Sequence, residues 1–344
     1  METFHLLPYD PSWDERWDRF VMKGSMNGTF LQTRRFLNYH PRGRFEDASL
    51  MVLDGQELVA VCPAAAQMVG GRAMLRSHPG STFGGLVIAP TLLRAPRLVA
   101  LMEQLDAYWL GQGFTAAELK LTSDLFSTHP TDVLQYALYH AGYTDELEIA
   151  AYVPVEGRSY EELVAAYSFN KRYDLKKCVK AGLIDRPLHT HDELSVFYSL
   201  LCQNLRKFDA TPVHTLRELV DFHDVRLCDE ARFLGVFTPE GEMVAGACLF
   251  WFCQARVLHT QYLATAPLKG CVPSTYLYDS VVRAGLNLGA RCVSFGTSTH
   301  DRGRVLNTGL IQNKEGYGAL HSLNRIYTKV YRFGPYAGIC SAWR

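Results

Sequence analysis

Apolar residues along the chain recur at two spacings, and the changes of spacing divide it into elements. After an apolar strand at Phe4 to Leu7, Pro11 opens a helix that puts Trp13, Trp17, Phe20 and Val21 on one face, and a second helix holds Phe36 and Tyr39. Strand-type runs follow at Leu50 to Leu53, Leu58 to Met68, Ala73 to Ser77 and Phe83 to Ile88, with turns at Asp54-Gly55 and Gly70-Gly71. Pro90 leads a long helix, Leu92 to Leu110, that stops at Gly111 and Gly113 before a strand at Ala117 to Leu121. A helix from Asp132 to His140 and a strand from Glu148 to Val155 end the first half.

The second half begins with a basic helix, Tyr160 to Ala181, then a strand at Ile184 to Leu188 and helices at Glu193 to Phe208 and Thr215 to Phe222. Strands at Arg232 to Phe237, Met243 to Phe252 and Val257 to Thr265 precede a helix from Ser274 to Leu288 and a buried strand, Cys292 to Phe295. Beyond it a polar, glycine-punctuated segment runs to Gly318 and carries Lys314 and Glu315 side by side.

The two halves repeat. The turn after Asp54-Gly55 is matched by that after Glu240-Gly241, and the run from Gly113 by the run from Gly289, each copy giving a hairpin, a further strand, a long helix and a glycine stop. The extra residues of the first copy fall around HPGSTFGG, up to Gly85. This order predicts an α/β (α+β) fold of two N-acetyltransferase-like domains, residues 1–151 and 152–344, facing a shared cleft; an ordinary α/β duplication would give a similar order.

Three places resemble the Fem-type branch of the GNAT acyltransferase superfamily. The first is the helix holding Ser168, Asn170, Lys171, Arg172, Ala181 and Gly182. The second is the following helix, with Phe197, Tyr198, Asn204 and Arg206. The third is the end, with Phe295, Gly296, Thr297, Ser298, Gly309, Leu310, Lys314 and Gly318. The resemblance implies transfer of an acyl group from acyl-CoA (acetyl-CoA), or of an aminoacyl group from aminoacyl-tRNA, onto an amine of a sugar- or nucleotide-containing envelope or metabolite precursor. Of the family's pyrophosphate loop only a central glycine remains, which makes Lys269, Gly270 and Ser274 the cofactor-binding candidates. A non-catalytic module that binds a glycan or protein is the alternative.

Acyl transfer to an amine needs a positioned donor, a neutral amine and hydrogen-bond donors aimed at the developing oxyanion. The first of these donors would be a backbone amide exposed where two neighbouring strands splay, with Lys314 as a charged supplement. Glu315 is the candidate proton acceptor and His300 or Asp301 its alternatives; all would equally serve as solvated surface charges. Asn170, Lys171, Arg172 and Arg206 suit an anionic acceptor, and Tyr262 and Ser298 are further candidate contacts. The loop around His78, Ser81, Thr82 and Phe83 either meets substrate or forms a tight turn. His189-x-His191 lacks a third ligand at metal-site spacing, so no metal is predicted.

Composition narrows the setting. The 344 residues, 48% apolar, are enough for two cores. With 35 basic and 35 acidic residues no global field recruits DNA, and only a local contact with tRNA is left open. Nine cysteines without CxxC spacing favour a reducing cytoplasm, and the longest apolar run, Met243 to Cys253, is too short to span a bilayer. The amino-terminal residues lack the basic and apolar regions of a signal peptide, so a soluble cytoplasmic protein is expected.

Overall fold

The computed structural model describes residues 3–207 and 209–331. In chain order its elements begin with β1 (His5–Pro8), α1 (Asp14–Arg19), α2 (Arg34–Leu37), β2 (Glu46–Asp47), β3 (Leu50–Asp54), β4 (Glu57–Cys62), β5 (Ala65–Val69), β6 (Arg72–Ser77) and β7 (Val87–Ile88). They continue with α3 (Ala95–Gly111), β8 (Ala116–Lys120), α4 (Asp132–His140), β9 (Thr144–Pro154), α5 (Tyr160–Ala165), α6 (Phe169–Lys180), β10 (Ile184–Pro187), α7 (His191–Arg206) and α8 (Leu216–Asp221). The rest are β11 (Ala231–Phe237), β12 (Met243–Phe252), β13 (Val257–Thr265), α9 (Pro273–Asn287), β14 (Cys292–Thr297), β15 (Thr299–His300), β16 (Val305–Leu306), α10 (Thr308–Glu315) and β17 (Leu320–Val330).

These elements form two compact units, one of residues up to Leu147 together with those from Asn324 on, the other Glu148–Leu323. The chain passes from the first unit to the second inside β9. The chain crosses again inside β17, a strand that the polar composition around His321 and Asn324 hides from a periodicity reading.

In the first unit β1, β3, β4 and β7 form one ladder and β17, β8, β6, β5 and β2 another. The run Leu58 to Met68, expected as one strand, is split into β4 and β5 at Pro63, whose ring nitrogen has no hydrogen to give to a ladder. α3 buries Leu98, Leu101, Met102, Leu105 and Trp109, a three-to-four-residue spacing, against β-strand residues such as Val61 and Leu119.

In the second unit the ladder order is β10-β11-β12-β13-β14-β9. All neighbours are antiparallel except β13 and β14, which run parallel because α9 crosses between them. α9 puts Leu277, Val281 and Val282 into a core with Val236, Ala247, Leu258 and Val293. The predicted helix Tyr160 to Ala181 is two helices. Ser168 starts the second by accepting from the Lys171 N–H, as an N-cap does. The expected last residue of the helix Glu193 to Phe208, Phe208, lies outside the described residues.

Both turns paired by the repeat have left-handed glycines, Gly55 (φ +59°) and Gly241 (φ +86°). In each unit a long helix then lies between two strands that pair in parallel: α3 between β6 and β8 in the first, where β7 also intervenes, and α9 between β13 and β14 in the second.

Candidate active site

A gap opens in the second unit's sheet where β13 and β14 part. Their ladder is three residues long, Val257 to His259 against Cys292 to Ser294. β13 nevertheless continues to Thr265 on its partner β12, so residues 260–265 have no strand beside them on the β14 side among the described residues. At the root of the gap Gln261 is one residue too many. Leu249 pairs with Thr260 and Cys248 with Tyr262, so β13 carries a bulge there.

Backbone amides along a strand point to alternate sides. Ala266 N–H donates to Val244 beside β12, and Thr265 N–H points the other way, to Asn204 Oδ1 at 3.1 Å. By the same alternation Leu263 N–H faces the gap. Asn204 also donates from Nδ2 to the Thr265 oxygen at 2.9 Å. Its amide makes at Thr265 the two bonds a further strand would make, which limits the unladdered edge to Thr260 through Ala264.

β14 forms the opposite wall. Phe295 is bulged against β9, and Gly296, at φ +71°, takes a conformation that suits glycine. A Cβ there would meet His259 Cε1 at 3.3 Å. His259 sits across from Ser294, with Nδ1 3.0 Å from its Oγ. Burial, aided by the Lys314 charge, pushes the imidazole down to about 4, so the ring is neutral at pH 7.

Lys314 holds that wall in place. Its side chain is 2% exposed, and Nζ donates to Gly296 O at 2.9 Å, Thr297 O at 2.7 Å and Ser298 Oγ at 2.9 Å. All three ammonium protons are thereby committed to protein acceptors. Burial lowers its pKa to about 8, which leaves it charged at pH 7. Ser298, fully buried, belongs to the same knot.

Glu315 diverges from its neighbour: it is exposed, and its carboxylate meets His321 Nε2 at 3.1 Å. His300, exposed, lies 3.3 Å from Asn307 Nδ2, and Asp301, also exposed, has left-handed backbone. Lys171 reaches Asn313 Oδ1 at 2.5 Å and lies over the Tyr317 ring. Arg172 donates to the carbonyls of Ala165 and Tyr167, which ties down the end of α5. Asn170 and Arg206 are exposed. Tyr262 has its hydroxyl 2.7 Å from His214 Nδ1. Lys269 and Gly270 form the exposed turn between β13 and α9, closed by a Leu268–Cys271 bridge, and Ser274 falls in the first turn of α9, which no side chain caps.

The other predicted loop belongs to the first unit and is built as a turn. His78 Nδ1 accepts from Gly80 N–H at 3.1 Å, Ser81 Oγ donates to Leu31 O at 3.1 Å, and Phe83 is buried on Phe126. Thr82 is exposed. Burial pushes His78 down to about 4. Gly84 N–H donates to Lys120 O at the end of β8, and a Cβ on Gly84 would lie 2.0 Å from the Ser77 carbonyl carbon. β6 stops at Ser77, where its ladder with β8 stops. The inserted residues fill, within the first unit, the edge whose counterpart in the second unit stays open.

Sequence reasoning missed Gln261, His259, Ser294 and the clamp at Asn204. A bulge leaves no mark on apolar periodicity, and Asn204 is polar at a place where a helix end is polar anyway.

No family model and no curated protein matches the chain by sequence. Among solved structures it is similar to FemX, at 12% identity and TM-score 0.68 over 94% of this chain and 96% of that one. It is also similar to the C-terminal domain of a putative lysylphosphatidylglycerol synthetase from Agrobacterium fabrum (12%, 0.57, 92% and 91%). A third is a tandem GNAT protein from the clavulanic acid biosynthesis pathway (11%, 0.55, 97% and 100%). The chain therefore has the mixed α/β, tandem GNAT-like fold shared with the Fem-type structure.

Proposed function

We propose that the chain is an N-acyltransferase that lays its acyl donor in the gap between β13 and β14 and passes the acyl group to an amine. The observation that carries this reading is the run of β13 past its last rung with β14, with the Gln261 bulge at its root. An extended donor arm placed there lies beside a strand edge, and its carbonyl oxygen meets a backbone N–H, that of Leu263, as negative charge develops. The neutral amine forms the new C–N bond. Collapse of the tetrahedral adduct expels either the thiolate of CoA, with the amine's proton leaving to water, or the ribose alkoxide of a tRNA, which takes up that proton through water to become the hydroxyl. Lys314 acts as a positioning residue that fixes Gly296 and Thr297, and no proton transfer is assigned to Glu315.

For the donor we favour acyl-CoA over aminoacyl-tRNA, because the chain has no net charge. The acceptor is read as an amine on a sugar- or nucleotide-containing precursor. Asn170 and Arg206, exposed and without side-chain partners among the described residues, are left to meet its anionic group.

One observation favours a second reading, a binding module without turnover. Asn204 already occupies the N–H and C=O of Thr265, which an amide of the donor arm would otherwise use.

The test is incubation of the intact chain with acetyl-CoA or charged tRNA and a panel of amino sugars and nucleotides, with binding and product both measured. Product formation supports transfer. Binding of an amino sugar or nucleotide without turnover selects the module, and no binding of either donor sinks the transferase.

A further inference from the structure

The second unit holds a cavity of about 400 Å³ that the acyl-transfer reading does not use. It is separate from the gap. α9 begins at the gap's end of the unit with Pro273 and touches this cavity only with Ala284, Asn287 and the following Leu288, roughly 16 Å along the helix.

Its deep wall is hydrocarbon. Leu188, Leu234 and Leu249 are each at most 7% exposed, and Leu258 is fully buried. The rim is polar and positive. Arg232, on β11, is exposed and has no hydrogen bond or ion pair among the described residues. Beside it the lining includes His223 and Asn287. His223 is oriented by Asp224, whose Oδ1 lies 2.6 Å from its Nδ1, which leaves Nε2 as the ring's other polar atom. The second oxygen of Asp224 is on His191 at 2.7 Å, so hydrogen bonds occupy both oxygens of this neighbouring acid.

A mostly apolar pocket of this size with a few convergent polar groups is the ordinary form of a small-molecule site. A guanidinium with no carboxylate of its own, at the mouth of a leucine-lined hollow, selects a ligand with an anionic head and an apolar body. We infer that the cavity binds a small carboxylate with a hydrocarbon body, the carboxylate on Arg232 and the body against the four leucines. The site does not depend on the acyl-transfer reading.

Cys228 provides a local probe. It lines the cavity and is an exposed free thiol, whereas Cys253 is exposed elsewhere and Cys271 lies in the β13–α9 turn. With the intact chain, octanoate is expected to slow maleimide labelling of Cys228, read peptide by peptide by mass spectrometry, without changing Cys253 or Cys271. Octylamine, with the same body and the opposite charge, gives no protection. Arg232→Gln, at a surface position, is expected to raise the octanoate concentration needed by about tenfold, the usual effect of losing a charged hydrogen bond. The inference is overturned if octanoate leaves Cys228 unprotected, if octylamine protects as well, or if Arg232→Gln protects at the wild-type concentration. Protection at Cys271 in place of Cys228 assigns octanoate to the gap and also overturns it.

Discussion

Lys314 shows how a residue picked for its charge can matter through its hydrogen bonds. Its ammonium is buried and holds three acceptors, two of them carbonyls at the end of β14. Lys314→Met would keep the packing and orphan those acceptors. A buried acceptor left without a partner costs about 1–3 kcal/mol, so a loss of about 3 kcal/mol is expected in urea unfolding; a loss under about 1 would mean that water replaces the ammonium. The buried histidines give a pH signature. His78 and His259 both have their pKa pushed down to about 4. The unfolded chain takes up a proton at each near pH 6.5 and the folded chain does not, so this stability is fully present above pH 6.5 and lost as pH falls to about 4. His78→Gln should make the fall in unfolding free energy from pH 7 to pH 5 shallower, and an unchanged slope would place the ring's titration elsewhere.

At the scale of elements, the parting of β13 and β14 depends on what lies at its root. Gly296 takes a left-handed φ of +71°, and a Cβ there would stand 3.3 Å from His259 Cε1. Gly296→Ala is expected to cost about 1 kcal/mol of stability through backbone strain. It should cost more than tenfold in donor affinity or turnover, because the added methyl leans into the wall of the gap. Equal, small losses in stability and function would show that nothing binds beside that glycine. The strands themselves were legible in the apolar run Met243 to Phe252 and in the β-branched and aromatic residues of Val257 to Thr265, which favour strands. The parting was not. It depends on a ladder that ends after three residues and on one surplus residue, Gln261, and neither changes the pattern of apolar positions. The knot at Lys314 was half legible. The lysine and Ser298 both stand out in a polar segment, but that the charge points inward depends on carbonyls, which every residue has.

At the scale of the whole chain, the duplication acts as an internal control. Both units set a long helix between two strands that pair in parallel, and the repeat was visible in the paired Asp54-Gly55 and Glu240-Gly241 turns. They differ where the parallel strands end. In the second unit β13 runs past its last rung with β14 by residues 260–265, and in the first β6 ends with its ladder at Ser77. There the inserted loop returns, with Gly84 N–H on the carbonyl of Lys120 and its Cα so close to Ser77 that no side chain fits. The residues in excess of the repeat are therefore the ones that close its first copy, and a gap-bound donor should find one place per chain. Calorimetric titration is expected to give a stoichiometry of one, abolished by a bulky substitution in the second unit's gap such as Gly296→Leu. Phe83→Ala, which thins the first unit's loop, should leave that stoichiometry unchanged. Two equivalent sites would mean that the loop around His78 to Gly85 opens to admit ligand, and a single site lost in Phe83→Ala but kept in Gly296→Leu would move the donor to the first unit.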